Sequence, residues 1–514
     1  MPERKAAERD RQGGRARNAA RRGDLPVQPG RGYVASRGTG RTRIVRWSWV
    51  LAFCMLAGCS PALDIASLPE TPERPERVEG IWEGAIALGE LRIVVHVEHA
   101  DGELSARVDV PDQGARLPAD EVRFDGERLA LRVDAIGATY SGTLGGDGAH
   151  LKGEWHQGVG IDLDLVKVEK PSARVRAQTP KPPFPYRTEE VRLPGGGVDV
   201  TLAGTLTVPE GRGYPAVVLV SGSGPQDRDE TVMGHQPFRV LADHLSRNDV
   251  AVLRYDDRGV GQSTGAREQA VTADFAEDAA AAVAYLRSRS DIDPARVGVI
   301  GHSEGAIVLA RLAGRDRGLS CGVMLGGPAV PGADVHQEQL RLVLGAQWFL
   351  PDSTVEKIAD LNAALYPAAR GPGTWEQRRA EGLAIYREEF ERFNFAERAL
   401  LRLQPEGTAM VNVVVSPWFA HFLDYDPGVD LAAARVPILA LYGERDLQVP
   451  PAQSVPVLEA IDADVGRFDI RVLPGLNHLF QPAETGAPDE YARIEETMAP
   501  AALATIADWV VNNC

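Results

Sequence analysis

The stretch that decides the fold is Gly301-His302-Ser303-Glu304-Gly305, a Gly-x-Ser-x-Gly sequence. It directly follows the apolar run 297–300, which is typical of a buried strand, and residues 306–310 continue it as an apolar helix. A glycine on either side of the serine permits a sharp turn with close packing of strand and helix. The pattern alone is weak in a glycine-rich chain and also fits an ordinary glycine turn. Its context favours a nucleophile elbow, in which a strained backbone presents the serine hydroxyl.

Two later strands end in side chains that could activate this hydroxyl. Asp446 follows the apolar run 436–442, and His478 follows the run 468–473. A serine needs a base to remove its proton, and the base needs a carboxylate to orient it and stabilise its charge. We therefore predict a catalytic triad of Ser303, Asp446 and His478, in the chain order Ser, Asp, His.

Two neighbouring residues are rivals for these roles. Glu444 could serve as the acid, although it lies closer to the end of its strand than Asp446. His302 adjoins Ser303, but on such a turn its side chain is expected to point away from the hydroxyl.

Stabilisation of the developing oxyanion requires two preorganised N–H donors. We expect the first from the backbone of Glu304 and the second from Ser223, in the glycine-rich loop 221–225 after a predicted strand. A phosphate cradle is disfavoured for this loop because no Lys-Ser/Thr pair follows it. A triad of this kind needs no cofactor, and the scattered histidines 96, 99, 150 and 156 show no metal-site spacing.

Several motifs together resemble the bacterial α/β-hydrolases of the serine-aminopeptidase-like group, especially its carboxylesterase branch. The resemblance covers about 187–514 and rests on residues 221–230, 254–263, 301–305, 416–427, 442–446 and 477–478. It implies an α/β-hydrolase fold and hydrolysis of small acyl esters through an acyl-enzyme intermediate. One departure is Ser221-Gly222, where the family frequently has His-Gly, and this leaves the second oxyanion donor open.

Two other functions stay open. An aminopeptidase would need an acidic anchor for the substrate amine, and Glu388, Glu389 and Glu391 could supply it, although a solvated helix face explains them equally well. A non-catalytic binding lipoprotein is the other alternative, and the presence of a serine, an aspartate and a histidine in the expected order argues against it.

The remaining pattern predicts two folded domains. Residues 79–168 alternate in short strand-like runs separated by turn signals, which predicts a small antiparallel all-β domain, a barrel or a sandwich. Residues 169–186 form a proline-rich linker, expected to be an extended spacer. Strands then alternate with helices over 187–514, typical of a mostly parallel sheet, with an aromatic-rich helical insertion at about 333–430 that we expect to be a lid. The predicted strands of this domain are 190–192, 200–207, 216–220, 250–255, 296–300, 322–325, 438–442 and 468–472, and the helices are 236–247, 273–288, 304–314, 452–461 and 488–512.

The beginning of the chain predicts export. Residues 1–58 hold 13 Lys and Arg against 4 Asp and Glu and are expected to comprise a disordered leader and a signal peptide. The apolar run 47–57 leads into Leu56-Ala57-Gly58-Cys59, which resembles a bacterial lipoprotein box. The resemblance implies a diacylated Cys59 that anchors the protein to a membrane, facing the periplasm or cell envelope. Residues 59–78, rich in Pro and Glu, are predicted to be a tether.

The net charge and the cysteines indicate which binding partners and cross-links to expect. The net charge is −16 and the basic residues gather in the leader, so the acidic body argues against nucleic acid as a partner. The oligomeric state leaves no signal in the sequence. Of the four cysteines, no pair has metal spacing and no disulfide framework is implied. Cys321 is expected to be a core residue and Cys514 to be inert.

Overall fold

The computed structural model describes residues 65–514, apart from 87–90, 101, 112–114, 158, 173–175, 268, 316–317, 348 and 402–406. The predicted leader, signal peptide and lipidation site Cys59 lie outside the described residues. Among the helices that the structure describes, none is long and apolar enough to cross a membrane.

The N-terminal described region is a curved antiparallel sheet, which confirms the predicted all-β domain. Its inward side chains form one apolar core, in which Trp82, Tyr140 and Trp155 are the largest fully buried residues. The strands are β1 (Gly80–Ile86), β2 (Leu91–Ala100), β3 (Glu103–Val110), β4 (Ala115–Pro118), β5 (Glu121–Phe124), β6 (Arg128–Val133), β7 (Ala138–Leu144), β8 (His150–Gln157), β9 (Val159–Asp162) and β10 (Leu165–Val168). Their order is β4-β3-β2-β1-β10-β8-β7-β6-β5, with β9 paired to β8.

The described part of the predicted tether is packed rather than free. Ile65 and Leu68 are buried against Ala130 of β6, and Arg123 donates to the carbonyl oxygen of Leu68 at 2.8 Å. The prolines of this segment prevent a regular apolar periodicity, so the sequence shows no core-forming pattern. Two apolar side chains are nevertheless enough to hold the segment against β6.

The C-terminal region is built on one eight-stranded, mostly parallel sheet. The strands are β11 (Tyr186–Pro194), β12 (Thr201–Pro209), β13 (Tyr214–Val220), β14 (Ala251–Tyr255), β15 (Ile292–His302), β16 (Gly322–Leu325), β17 (Ile438–Gly443) and β18 (Phe468–Leu473). Every strand predicted between 187 and 514 is present. The strand order is β11-β12-β14-β13-β15-β16-β17-β18, and only the β11–β12 and β12–β14 pairs of this sheet are antiparallel.

Helices cover both faces of this sheet. The central strands are apolar on both sides, so that Val218 enters one core and Val217 the other. Six helices flank the sheet: α1 (Pro237–Ser246), α2 (Thr272–Arg287), α3 (Glu304–Gly314), α10 (Pro427–Ala433), α11 (Pro451–Val465) and α12 (Pro500–Asn513). The first core includes side chains of α2, α3, α10 and α11, and the second includes side chains of α1 and α12.

A helical insertion lies between β16 and β17. Its own core buries five aromatic side chains, Tyr366, Tyr386, Phe390, Phe393 and Phe419, and Trp418 and Phe422 pack against it while partly buried. Its further helices are α4 (Gly332–Gly345), α5 (Asp352–Arg370), α6 (Trp375–Phe390), α7 (Phe395–Leu401), α8 (Thr408–Val414) and α9 (Pro417–Asp424).

The prediction of one helix over 488–512 was wrong. A short 3₁₀ turn spans Pro488–Glu490, and the α-helix begins only at Pro500. Proline lacks the N–H that an interior helix position requires, so it begins this helix instead of continuing one. Upstream, the Glu490 carboxylate accepts the backbone N–H groups of Glu484 and Thr485 and holds the segment as a loop.

The predicted linker docks on this loop. Arg176 is only 1% exposed and donates to the carbonyl oxygens of Met233 and Ala492 at 3.0 and 2.7 Å. The carbonyl oxygen of the Gln178 side chain accepts the backbone N–H of Thr497 at 2.6 Å. These polar residues therefore make part of the linker an integral piece of the larger domain instead of an extended spacer.

Cys321 is buried in the core as predicted, but the sequence implied no disulfide and the structure contains one. Cys321, just before β16, is bonded to Cys514 at the end of α12, with Cα atoms 5.2 Å apart. The separation of 193 residues leaves no spacing signal in the sequence. The disulfide fits because residue 298 is glycine. A Cβ added at this position would lie only 2.3 Å from Cys321 Sγ.

The disulfide yields a stability prediction. Replacing Cys514 with serine should lower the free energy of unfolding by about 2–4 kcal/mol, because a long loop is no longer closed in the unfolded chain. Denaturant unfolding with and without reductant measures this. Reductant should destabilise the parent chain and leave Cys514→Ser unchanged; a parent chain insensitive to reductant under denaturing conditions would contradict the prediction.

Candidate active site

Ser303 occupies the turn between β15 and α3 with φ 53° and ψ −116°, a region that non-glycine residues rarely adopt. The turn is possible only because its neighbours lack side chains. A Cβ on Gly301 would lie 2.0 Å from the carbonyl oxygen of Gly305, and a Cβ on Gly305 would lie 2.1 Å from that of Val220. The two glycines of the Gly-x-Ser-x-Gly sequence are thus a steric requirement of the close crossing between β15 and α3.

Asp446 and His478 lie together beyond the carboxyl ends of β17 and β18. His478 Nδ1 is 2.7 Å from Asp446 Oδ2, and both residues are buried. The other carboxylate oxygen accepts the backbone N–H groups of Gln448 and Val449, each at 2.8 Å. Asp446 is therefore fixed in the orientation that can hold the imidazole.

Glu444, the rival acid, has a different setting. It is exposed, and its Oε2 accepts the backbone N–H of Gly475 at 2.9 Å. It braces the loop that leads to His478 without contacting the imidazole.

The loop after β13 passes directly beside the serine. A Cβ on Gly222 would lie 3.2 Å from Ser303 Cβ. The Gly222 N–H is already engaged, since it donates to Glu230 Oε1 at 2.7 Å. The next backbone N–H along the loop belongs to Ser223. The backbone N–H of Glu304 lies in the first turn of α3, where backbone donors have no intrahelical partner.

A network of opposite charges fixes the same loop. Arg228 holds Asp256 through Nε and Nη2, at 3.0 and 2.8 Å, and Arg254 pairs with Asp229. Both charged stretches contribute to the family resemblance, but the resemblance does not predict these ion pairs. The signal in the sequence is that acidic and basic residues lie close together within 227–230 and within 254–257.

A narrow cleft of about 10 Å³, room for about one water molecule, adjoins this loop and is lined by Gly222, Asp257, Phe275 and Glu304 among others. Burial raises the pKa of Asp257 to about 7, although the Arg267 charge and a hydrogen bond from the Ser221 hydroxyl act in the opposite direction. The cleft therefore carries a carboxyl group that titrates near neutral pH.

Glu304 connects the helical insertion to the serine turn. Its Oε1 accepts from Thr272 Oγ1 at 2.7 Å and from Trp418 Nε1, on α9, at 2.8 Å. Burial raises the pKa of this carboxyl, and the two hydrogen bonds partly offset the effect. An aromatic residue of the insertion thus contacts the residue next to Ser303, which the sequence did not indicate.

The acidic residues considered as an amine anchor do not form a shared site. Glu389 pairs with Arg392, Glu391 pairs with Arg398, and Glu388 is exposed. In the described part of the chain, no group of three or more His, Cys, Asp or Glu side chains could hold a metal ion.

The sheet order, the crossovers and the strained serine turn define an α/β-hydrolase fold. In agreement, the family model described as "Serine aminopeptidase, S33" matches residues 235–389. Esterase EstD of Thermotoga maritima is 30% identical over 296 residues, which are 57% of this chain. The chain spans 61% of that relative's length. The family match and this relative support a hydrolase.

Similar solved structures include the Pyrococcus furiosus esterase Pf2001, with a TM-score of 0.39 at 15% identity, covering 66% of this chain and 98% of the esterase. A proline iminopeptidase from Mycobacterium smegmatis gives a TM-score of 0.38 at 17% identity, covering 63% of this chain and 98% of the iminopeptidase.

Proposed function

We propose that the protein is a serine hydrolase that cleaves small carboxylic esters. The observation that carries the proposal is the buried Asp446–His478 hydrogen bond at the sheet edge where Ser303 is held in its strained turn. The similarity to an esterase supports the choice of an ester substrate.

In the proposed mechanism, His478 Nδ1–H donates to Asp446, which leaves Nε2 free to accept the proton of Ser303 Oγ. The oxygen attacks the ester carbonyl, and the oxyanion accepts hydrogen bonds from the backbone N–H groups of Glu304 and Ser223. His478 then donates its proton to the departing alkoxide. An acyl-enzyme remains, and water activated by the same histidine hydrolyses it.

We further propose that the insertion is a lid over the substrate. The contact between Trp418 Nε1 and Glu304 places α9 at the residue after Ser303. Trp418 is only partly buried and stacks on Phe422, with ring centroids 5.8 Å apart. This aromatic pair offers an apolar surface for the organic groups of an ester.

Peptide hydrolysis is the second candidate. Asp257 and Glu304 both line the narrow cleft next to the serine turn, and a widened cleft would let a carboxylate there hold a substrate amine. A panel of p-nitrophenyl esters and aminoacyl anilides separates the two functions, since the ester hydrolase should favour uncharged acyl groups by a large factor. Hydrolysis of the anilides alone would favour the peptidase.

The serine is tested by replacement with alanine. Ser303→Ala should lower ester hydrolysis by about 10⁶, the usual cost of losing a triad nucleophile. Thermal unfolding should change little, because the hydroxyl contributes chemistry and little packing. Activity near that of the parent chain in a folded variant would remove Ser303 from the mechanism. Inactivity of the parent chain toward every ester and anilide would instead favour a binding protein.

The acid is tested by two matched variants. Asp446→Asn should lower kcat by about 10⁴, because an amide in this position favours the wrong histidine tautomer. Glu444→Gln is the control, and it should retain most of the activity because the exposed side chain contacts only the Gly475 amide. The reverse ranking would assign the acid to Glu444.

We also propose the predicted lipid anchor on Cys59, on the basis of the sequence alone. Cys59→Ser should release the protein from membranes without changing its specific activity, because Cys59 and Ser303 are 244 positions apart in the chain. Fractionation and mass spectrometry of the mature N-terminus measure this. A mature peptide that continues unmodified through Gly58–Cys59 would overturn the anchor.

A further inference from the structure

His302, directly before Ser303, meets a hydrogen-bond acceptor at each ring nitrogen. Its Nδ1 is 2.8 Å from Glu230 Oε1, and its Nε2 is 3.1 Å from the backbone oxygen of His478. A carbonyl oxygen can only accept, so Nε2 carries a proton. Glu230 Oε1 also accepts the Gly222 N–H. When Glu230 is ionised, Oε1 accepts from Nδ1–H as well, so the imidazole is doubly protonated and paired with a carboxylate.

The surroundings favour that charge. Burial lowers the pKa of His302, but the Glu230 charge, the hydrogen bonds to Glu230 and to the His478 carbonyl, and the Asp446 charge raise it above its ordinary value overall. The titratable groups that face the ring are Glu230 from the loop after β13, Asp446 after β17 and His478 after β18. Of these three described groups, only His478 could add a like charge, and its ring centroid is 4.6 Å away.

The pair joins the three segments that form the site. Glu230 holds the loop at Gly222, His302 is covalently next to Ser303, and its Nε2 holds the backbone of His478. Glu230 is nearly fully buried, and its φ of 51° is rare for a residue with a side chain. Such a conformation is unfavourable by itself, so its presence indicates that the surrounding contacts determine it.

We propose that His302 and Glu230 are positioning residues, whose buried ion pair sets the distance between the oxyanion-binding loop and the loop of the catalytic histidine. Neither group touches the substrate. Each acts through a backbone, Glu230 through Gly222 and His302 through His478. This inference rests on the proposed hydrolase function.

The ion pair predicts a pH dependence. Because the pKa of His302 is raised in the folded chain, the charged pair is intact below that value and is lost as the pH rises through it. A neutral ring can donate from only one nitrogen, so either Glu230 or the His478 carbonyl then loses its bond. The rate should therefore fall on the alkaline side, in kcat rather than in KM, since the pair orients groups that act in the transition state.

The main test is His302→Gln in the full chain, assayed on a p-nitrophenyl ester across pH. We expect kcat to fall by about 10- to 100-fold with KM nearly unchanged, because small misplacements of reacting groups have effects of this size. The alkaline limb should disappear, since glutamine does not titrate. His150→Gln is the control: it also pairs with a carboxylate, Asp147 at 2.6 Å, but on the surface of the β-domain, and it should keep the parent profile.

A second variant, Glu230→Gln, tests the same proposal if His302→Gln does not fold. An amide oxygen still accepts but carries no charge, so the alkaline limb should move to lower pH. An alkaline limb that stays unchanged in either folded variant, or a rise in KM at constant kcat, would overturn the proposal.

A readout independent of activity separates this inference from the proposed function. In the full chain labelled with ¹⁵N-histidine, NMR at neutral pH should show both ring nitrogens of His302 protonated, with the signals assigned by their loss in His302→Gln or their shift in Glu230→Gln. A single ring proton would overturn the ion pair even in an active enzyme. A doubly protonated ring in a chain that hydrolyses no ester would leave the pair intact and remove the proposed function.

Discussion

The rest of the larger domain depends on how closely β15 and α3 cross at Ser303. Two backbone contacts set that distance, Gly301 against Gly305 and Gly305 against Val220. Since Val220 is the last residue of β13 and pairs with Gly301, the crossing that presents the serine also brings the loop after β13 to its side. Two glycines thus determine both the direction of the Ser303 side chain and the position of the proposed oxyanion-binding loop.

A loop that binds a developing charge must hold its donors in place before the charge forms. Here the loop has few apolar contacts of its own, and ionic side chains hold it instead. Arg228 joins it to Asp256, Asp257 holds the Ser221 hydroxyl at 2.8 Å, and Glu230 holds the Gly222 N–H. Because these groups are buried or half-buried, solvent screens their interactions weakly, and such pairs fix geometry better than exposed ones do.

The sequence predicted those parts of the molecule whose signal is local. The parallel strands are apolar runs bounded by turn residues, and α3 follows its strand without a break, so the sheet and the serine turn were predictable. The disulfide between Cys321 and Cys514, the docking of Arg176 and the His302–Glu230 pair were not. Each joins positions that are distant in the chain, so no local pattern indicates it. The prediction of a helix over 488–512 was wrong although its signal was local. The apolar pattern took no account of Pro500, which begins the helix, or of the buried Glu490 carboxylate, which organises the loop before it.

The proposed mechanism requires that one serine becomes covalently acylated with the help of one histidine. Labelling of the folded chain with a serine-reactive fluorophosphonate, followed by digestion and mass spectrometric location of the adduct, measures this. We expect a single adduct on Ser303 in the parent chain and strongly slowed labelling when His478 is replaced by alanine. An adduct on another serine, or labelling of Ser303 at an unchanged rate without His478, would refute the mechanism.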